Sequence, residues 1–164
     1  MQEAAYASST KHLSFRLGGE SYAIEILKVR EIIGLMEITA VPRSASHIRG
    51  VINLRGKIVP VLDMREKFGL PAVELKKENC IITINVEGPQ GAMLVGVLVD
   101  SVTEVMQLDS AQIESLPALG SDLRLDFVTG LAKLQSKVII LLDIDKVVLA
   151  GDLDALRELS KVLA

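Results

Sequence analysis

The side chains of this chain that could do chemistry are few and scattered. His12 and His47 are its two histidines and Cys80 its single cysteine, and neither histidine sits in a Cys/His/carboxylate cluster with metal-ligand spacing. Asp63, Asp100, Asp143 and Asp145 have the chemistry for a carboxylate pair or a cation site. Each, however, stands at or just past the end of an apolar run, where Asp caps a turn or a helix. No Ser or Cys lies in a nucleophile elbow, and no phosphate-cradling GxxxxGK[ST] or GxGxxG is present; the stretch Val86-Glu-Gly-Pro-Gln-Gly91 reads as a strand-to-strand turn. Cys80, inside the apolar run CIITINV, reads as a small buried hydrophobe. The expectation is a chain with no catalytic residue, no cofactor and no metal, and by elimination a binding module.

Composition narrows the kind of partner. A groove for nucleic acid needs a basic surface and aromatic platforms, whereas this chain has a formal charge of −3, three Phe, two Tyr and no Trp. Phe15 and Tyr22 fall on apolar faces and Phe68 in a short helix, so all three read as core. Charge is unevenly spread: residues 11–67 hold ten Lys/Arg against six Asp/Glu, and residues 68–164 hold eight against fourteen. Opposite signs on two halves suit docking with partners of complementary potential. No run of about 18 apolar residues is present to span a bilayer, and the first ten residues lack the basic start and apolar stretch of a secretory signal. A cytoplasmic protein without direct membrane insertion is expected.

The elements that would hold a binding surface are mostly strands. Leu13, Phe15 and Leu17 alternate with Ser14 and Arg16, and Gly18-Gly19 turns the chain into Tyr22, Ile24 and Ile26, a hairpin signature. Short β-branched runs follow at Ile58–Leu62, Cys80–Val86, Met93–Val99 and Val138–Leu142. Asp63-Met-Arg-Glu66 resembles a capping box opening a helix of barely two turns that Gly69 and Pro71 end. At the end of the chain Leu153, Leu156, Leu159 and Leu163 recur at helical spacing behind an Asp152 cap.

An internal echo organises these elements. Gly50-VINLRGKIVPVL-Asp63 lies over Gly130-LAKLQSKVIILL-Asp143 at an offset of 80, Ala23–Ile33 over Gly96–Met106 at 73, and Val41-Pro42 over Leu116-Pro117 at 75. Two copies are too few for a solenoid, so the echo predicts two similar small barrels packed together. The expected division is a disordered tail at 1–10, a domain at 11–150 whose pseudo-repeated barrels run roughly 21–75 and 80–150 with the N-terminal strand shared, and a C-terminal helix at 151–164.

The same residues carry a family resemblance. SYAIEILKVREII at 21–33, Val41-Pro42, HIRGVINLRG at 47–56, IVPVLDMREKFG at 58–69, GVLVDSVTEV at 96–105 and the closing Gly130 with Ile140-Leu-Leu-Asp143 together resemble the CheW family of chemotaxis coupling proteins over residues 11–150. Met64 stands where Leu is usual, Gln135-Ser136 lacks the glycine of Arg55-Gly56, and 118–126 matches poorly. The resemblance implies a mainly β fold of two intertwined five-stranded SH3-like barrels with short helices and a C-terminal helix. It implies a non-enzymatic scaffold that joins the regulatory domain of a CheA-type histidine kinase to the cytoplasmic tip of chemoreceptors, monomeric alone and part of a receptor array in the cell. An adaptor of another chemosensory pathway, controlling pili, surface motility or a second messenger, is the alternative.

By resemblance the partner-binding residues are Val29, Glu31, Ile32, Gly50, Asn53, Leu54, Arg55 and Gly56 in the first unit and Gly96, Val99, Val102 and Val105 in the second. Arg55 can pair bidentately with a carboxylate, and Glu31 is the expected partner. Gly50 and Gly56 suit turn geometry or close backbone approach. Val29, Val102 and Val105 fit a core role as well as an apolar groove for a receptor helix.

Overall fold

The computed structural model describes residues 10–88, 91–114, 127–148 and 150–163, with side chains of the last segment from 152 to 159. The chain forms β1 (Thr10–Leu17), β2 (Glu20–Glu25), β3 (Val29–Gly34), β4 (Ile48–Leu54), β5 (Lys57–Asp63), the one-turn helix α1 (Met64–Lys67), β6 (Cys80–Gly88), β7 (Gly91–Val99), β8 (Ser101–Leu108), β9 (Ile113–Glu114), β10 (Val128–Leu134) and β11 (Lys137–Leu142). A second one-turn helix, α2 (Ile144–Val147), and the longer α3 (Ala150–Leu163) close it. The four β-branched runs fall on β5, β6, β7 and β11, and Gly18 and Gly19, both at positive φ, turn β1 into β2. The expected tail lies outside the described residues except Thr10, which already belongs to β1; the poorly matching 118–126 and the Leu116-Pro117 end of the echo also lie outside them.

The strands form two sheets, a five-stranded one in the order β3-β6-β7-β5-β4 and a six-stranded one in the order β8-β1-β2-β11-β10-β9. They are the two SH3-like barrels. Their membership departs from the expected division at 75–80: the first copy's β1 and β2 lie in the barrel of the second copy's β8, β10 and β11, and the second copy's β6 and β7 lie in the barrel of β3, β4 and β5. The copies exchange their opening hairpins reciprocally. A constant offset reports which residues are equivalent but not which copy each strand pairs with, so this exchange had no signature in the echo.

Pairing registers show how closely the copies agree. Val61 pairs in parallel with Gly96, and its counterpart Leu141 with Ala23. Each barrel has a bulge between its Val and Glu: Val29↔Ile84 and Glu31↔Thr83 in one, Val102↔Phe15 and Glu104↔Ser14 in the other. Thr39 bridges Val51 where Glu114 pairs with Leu131. These approaches explain two glycines: a Cβ on Gly50 would lie 2.1 Å from the Thr39 carbonyl oxygen, and one on Gly130 2.8 Å from that of Glu114.

Among the described residues three apolar cores result. Ile52, Leu54, Val59, Val61, Ile81 and Leu98 fill one barrel, and Ala23, Leu108, Ala132, Ile139 and Leu141 the other. The largest cluster joins the two sheets, with Leu13, Phe15 and Ile24 from one packed among Ile82, Ile84 and Val97 from the other. Phe15 is fully buried, while Tyr22 and Phe68 are partly buried against this cluster. Leu153 and Leu156 of α3 also close over it. Burying a leucine contributes roughly 2–3 kcal/mol before entropy is counted. Leu153, Leu156 and Leu159 of the amphipathic stripe thus cover their own domain.

Candidate functional site

The tip of the first barrel is built by a two-residue turn. Arg55 and Gly56 both have positive φ, 54° and 86°, as a tight β4–β5 hairpin of primed geometry requires. Asn53 Oδ1 accepts from the Gly56 amide at 2.8 Å and locks it. The turn projects Arg55 toward the edge strand β3, where its Nη2 donates to Glu31 Oε1 and its Nη1 to Oε2 at 3.5 Å. The expected pair is therefore formed, and the Arg55 guanidinium holds the Glu31 carboxyl below the usual carboxylate range. Glu31 is fixed from behind: its amide donates to Thr83 Oγ1 at 3.0 Å, and that hydroxyl donates to the Glu31 carbonyl at 3.1 Å. Thr83 is fully buried, so the carboxylate stands on a rigid β3–β6 pair.

Apolar candidates lie on the equivalent outer strands β3 and β8. Val29 and Val102 are half-buried against the cluster that joins the barrels, whereas Ile32 and Val105, which occupy matching positions, stay exposed at 43% and 53%. Leu27, in the 3-10 turn leading into β3, is 91% exposed. Ile32, Val105 and Leu27 thus leave large apolar side chains in water.

Other candidates prove to be interior. Leu54 and Val99 are buried, at 9% and 1% exposure. Gly50 sits against the Thr39 backbone, and a Cβ on Gly96 would come within 2.9 Å of Ile81. These four shape the barrels and offer no side chain to a partner. Cys80 differs from its reading, being half-buried rather than buried. Asp63 and Asp143 do cap α1 and α2, accepting from Arg65 and Glu66 and from Asp145 and Lys146.

The sequence reading missed the ionic contacts that tie the short helices and α3 in place. Arg65 on α1 donates to Asp100 at 2.6 Å, and Lys28 donates to Asp145 on α2 at 2.6 Å. Arg65 and Asp145 are equivalent by the 80-residue offset, so each short helix holds one of the links that cross between barrels, with the charges reversed. Asp152 takes hydrogen bonds from Lys67 and, at 2.7 Å, from His47. It lies in the first turn of α3 and not at its cap, and it pins the helix to α1 and to the approach to β4. Burial pushes the Asp152 carboxyl up, but Lys67 and His47 outweigh this and hold it below its ordinary value. No local pattern announces partners separated by 85 and 105 residues.

Among the described residues no group of three or more His, Cys, Asp or Glu is placed to hold a metal, and no helix is long and apolar enough to cross a membrane. The arrangement presents an ordered ion pair and exposed apolar strand residues.

Comparison with known proteins gives a consistent answer. The CheW-like domain model matches residues 11–150. The chain is 36% identical over 149 residues to the chemotaxis protein CheW of Klebsiella aerogenes, covering 91% of this chain and 87% of the relative. It is 34% identical to the chemotaxis protein CheW of Thermotoga maritima, over 83% and 85% of the two chains. Among solved structures, the scaffolding protein TtCheW of Thermoanaerobacter tengcongensis superposes with a TM-score of 0.75 at 33% identity, covering 87% of this chain and 94% of that one.

Proposed function

This chain belongs to the CheW-like family, whose role is to couple chemoreceptors to the kinase CheA, and from that premise we propose that it is a non-enzymatic scaffold holding both partners at separate surfaces. The Glu31–Arg55 tip, with Asn53 and Gly56 setting its turn, takes the regulatory domain of a CheA-type kinase. Ile32 and Val105, flanked by the half-buried Val29 and Val102, take the apolar face of a chemoreceptor's cytoplasmic helical tip. Gly50, Leu54, Gly96 and Val99 act on these surfaces indirectly, by holding the barrels in shape. The protein works in the cytoplasm and reaches membrane receptor arrays through its partners.

The observation that carries this reading is the ordered pair at the first tip, a partly exposed carboxylate and guanidinium fixed by a locked turn and a buried threonine. Rim charges of this kind steer encounter and fix register. Isothermal titration with the regulatory domain of the CheA kinase from the same genome tests it. Saturable binding is expected, weakened by Arg55→Ala in a variant that melts like the parent. Absence of binding at about 100 μM protein removes that kinase as the partner.

A further inference from the structure

The two barrels carry equivalent depressions beside their one-turn helices, and the chain fills one of them itself. In the first barrel the depression lies among Asp63, Arg65 and Leu98, and the segment 70–79 occupies it. Val73 and Leu75 line it, Asn79 Nδ2 donates to the Asp100 carbonyl at 3.0 Å, and Arg65 Nε donates to the Pro71 carbonyl at 3.0 Å. Only about 10 Å³ remains. Internal equivalence carries Asp63 to Asp143, Arg65 to Asp145, Leu98 to Glu25 and Ile81 to His12. These four residues of the second barrel line an open depression of about 160 Å³, and no described segment enters it.

The chemistry of the wall has changed along with its occupancy. Arg49 and Arg65 balance Asp63 and Asp100 around the filled depression. Around the open one Thr129 and Asp145 replace the two guanidinium groups and Glu25 replaces an apolar leucine, leaving three carboxylates against Lys28. Asp145 Oδ2 accepts from Lys28, but its Oδ1 is buried with no hydrogen-bond partner. A desolvated carboxylate oxygen without a donor is costly. The neighbouring His12 is only 6% exposed, and Thr10 Oγ1 lies 3.4 Å from its Nδ1.

We propose that this depression is a docking groove for an extended segment of a partner protein that inserts a lysine or arginine side chain, as the chain's own 70–79 segment fills the equivalent groove. The inserted cation pairs with the Asp145 carboxylate, and Glu25 and Asp143 flank it. An apolar side chain like Leu75, which packs against the cluster of Ile81 and Leu98, does not suit this groove, because His12 and Glu25 stand at their places. The proposal concerns a surface distinct from the Glu31–Arg55 tip, and it stands whether or not the kinase binds there.

Amide chemical shifts of the intact protein, titrated with the blocked tripeptide acetyl-Val-Arg-Val-amide to about 10 mM, test it. Saturable shifts centred on Lys28, Thr129 and Asp145 are expected, absent with the uncharged citrulline peptide and weakened about tenfold by Asp145→Asn or by Glu25→Leu. Glu25 is exposed, so the second substitution retains the fold and keeps the test valid if the first does not. No saturable shift, equal shifts with citrulline, or indifference to Glu25→Leu overturns the proposal. Arginine amide binding as tightly as the tripeptide overturns the segment and leaves a small-molecule cation site.

Discussion

At the scale of single residues, geometry separates positions that looked alike in sequence. Gly50 and Gly130 are identical anchors of the echo, yet Gly50 takes a φ of +147°, and a Cβ there would lie 2.1 Å from the Thr39 carbonyl oxygen. Gly50→Ala should therefore cost about 2–4 kcal/mol in urea unfolding, and Gly130→Ala, whose new Cβ would meet the Glu114 carbonyl oxygen at 2.8 Å without a positive φ, clearly less. Equal losses would show that the strain at Gly50 relaxes. Arg55 calls for a different readout, because an exposed pair adds little to folding. Arg55→Ala should leave the melting temperature unchanged and weaken binding of the kinase regulatory domain about tenfold, with the parent's affinity falling as salt rises. The Glu31–Arg55 pair was legible because the family resemblance placed both residues, with opposite charges, among the partner-binding positions. Arg65–Asp100 and Lys28–Asp145 were not, since they join residues brought together only by the strand exchange.

At the scale of elements, the one-turn helices and α3 show where sequence signals are strong and where they end. Asp63 and Asp143 announced caps because an N-cap aspartate works through residues two and three positions on, a local effect. The apolar stripe of α3 likewise revealed its buried face, and Leu156→Ala should cost about 2–5 kcal/mol by cavity formation. Its ionic anchor had no local signature, although it should set a pH dependence. The folded-state Asp152 carboxyl titrates below its unfolded value. Its contribution is therefore complete above the unfolded value, about pH 4, and is lost as pH falls through the lower folded one. Asp152→Asn leaves Lys67 and His47 without their anion and should lower stability by about 1–3 kcal/mol at pH 7. Urea melts from pH 7 down to pH 3 should show the gap between parent and variant closing at the acid end. A gap that persists unchanged would mean that the carboxylate's charge is not what holds α3.

At the scale of the whole molecule, the reciprocal exchange of hairpins makes the two barrels one cooperative body. Neither sheet is made of contiguous chain, and the largest apolar cluster takes residues from both. The links that cross between barrels are short: Ile26–Lys28 joins β2 to β3, and Asp100 alone joins β7 to β8. Short links of this kind stop β2 from folding back beside β3 within its own copy, which is the condition that favours exchange over self-closure in swapped assemblies. Two consequences can be measured on a chain divided between 79 and 80. Each half carries strands of both barrels, so each alone should lack a cooperative melt, whereas an equimolar mixture should regain the parent's circular dichroism and sediment as a one-to-one complex. If the 1–79 half alone melts cooperatively as a monomer, its hairpin can close on its own copy. The exchange would then be one of two accessible arrangements, not one enforced by the links.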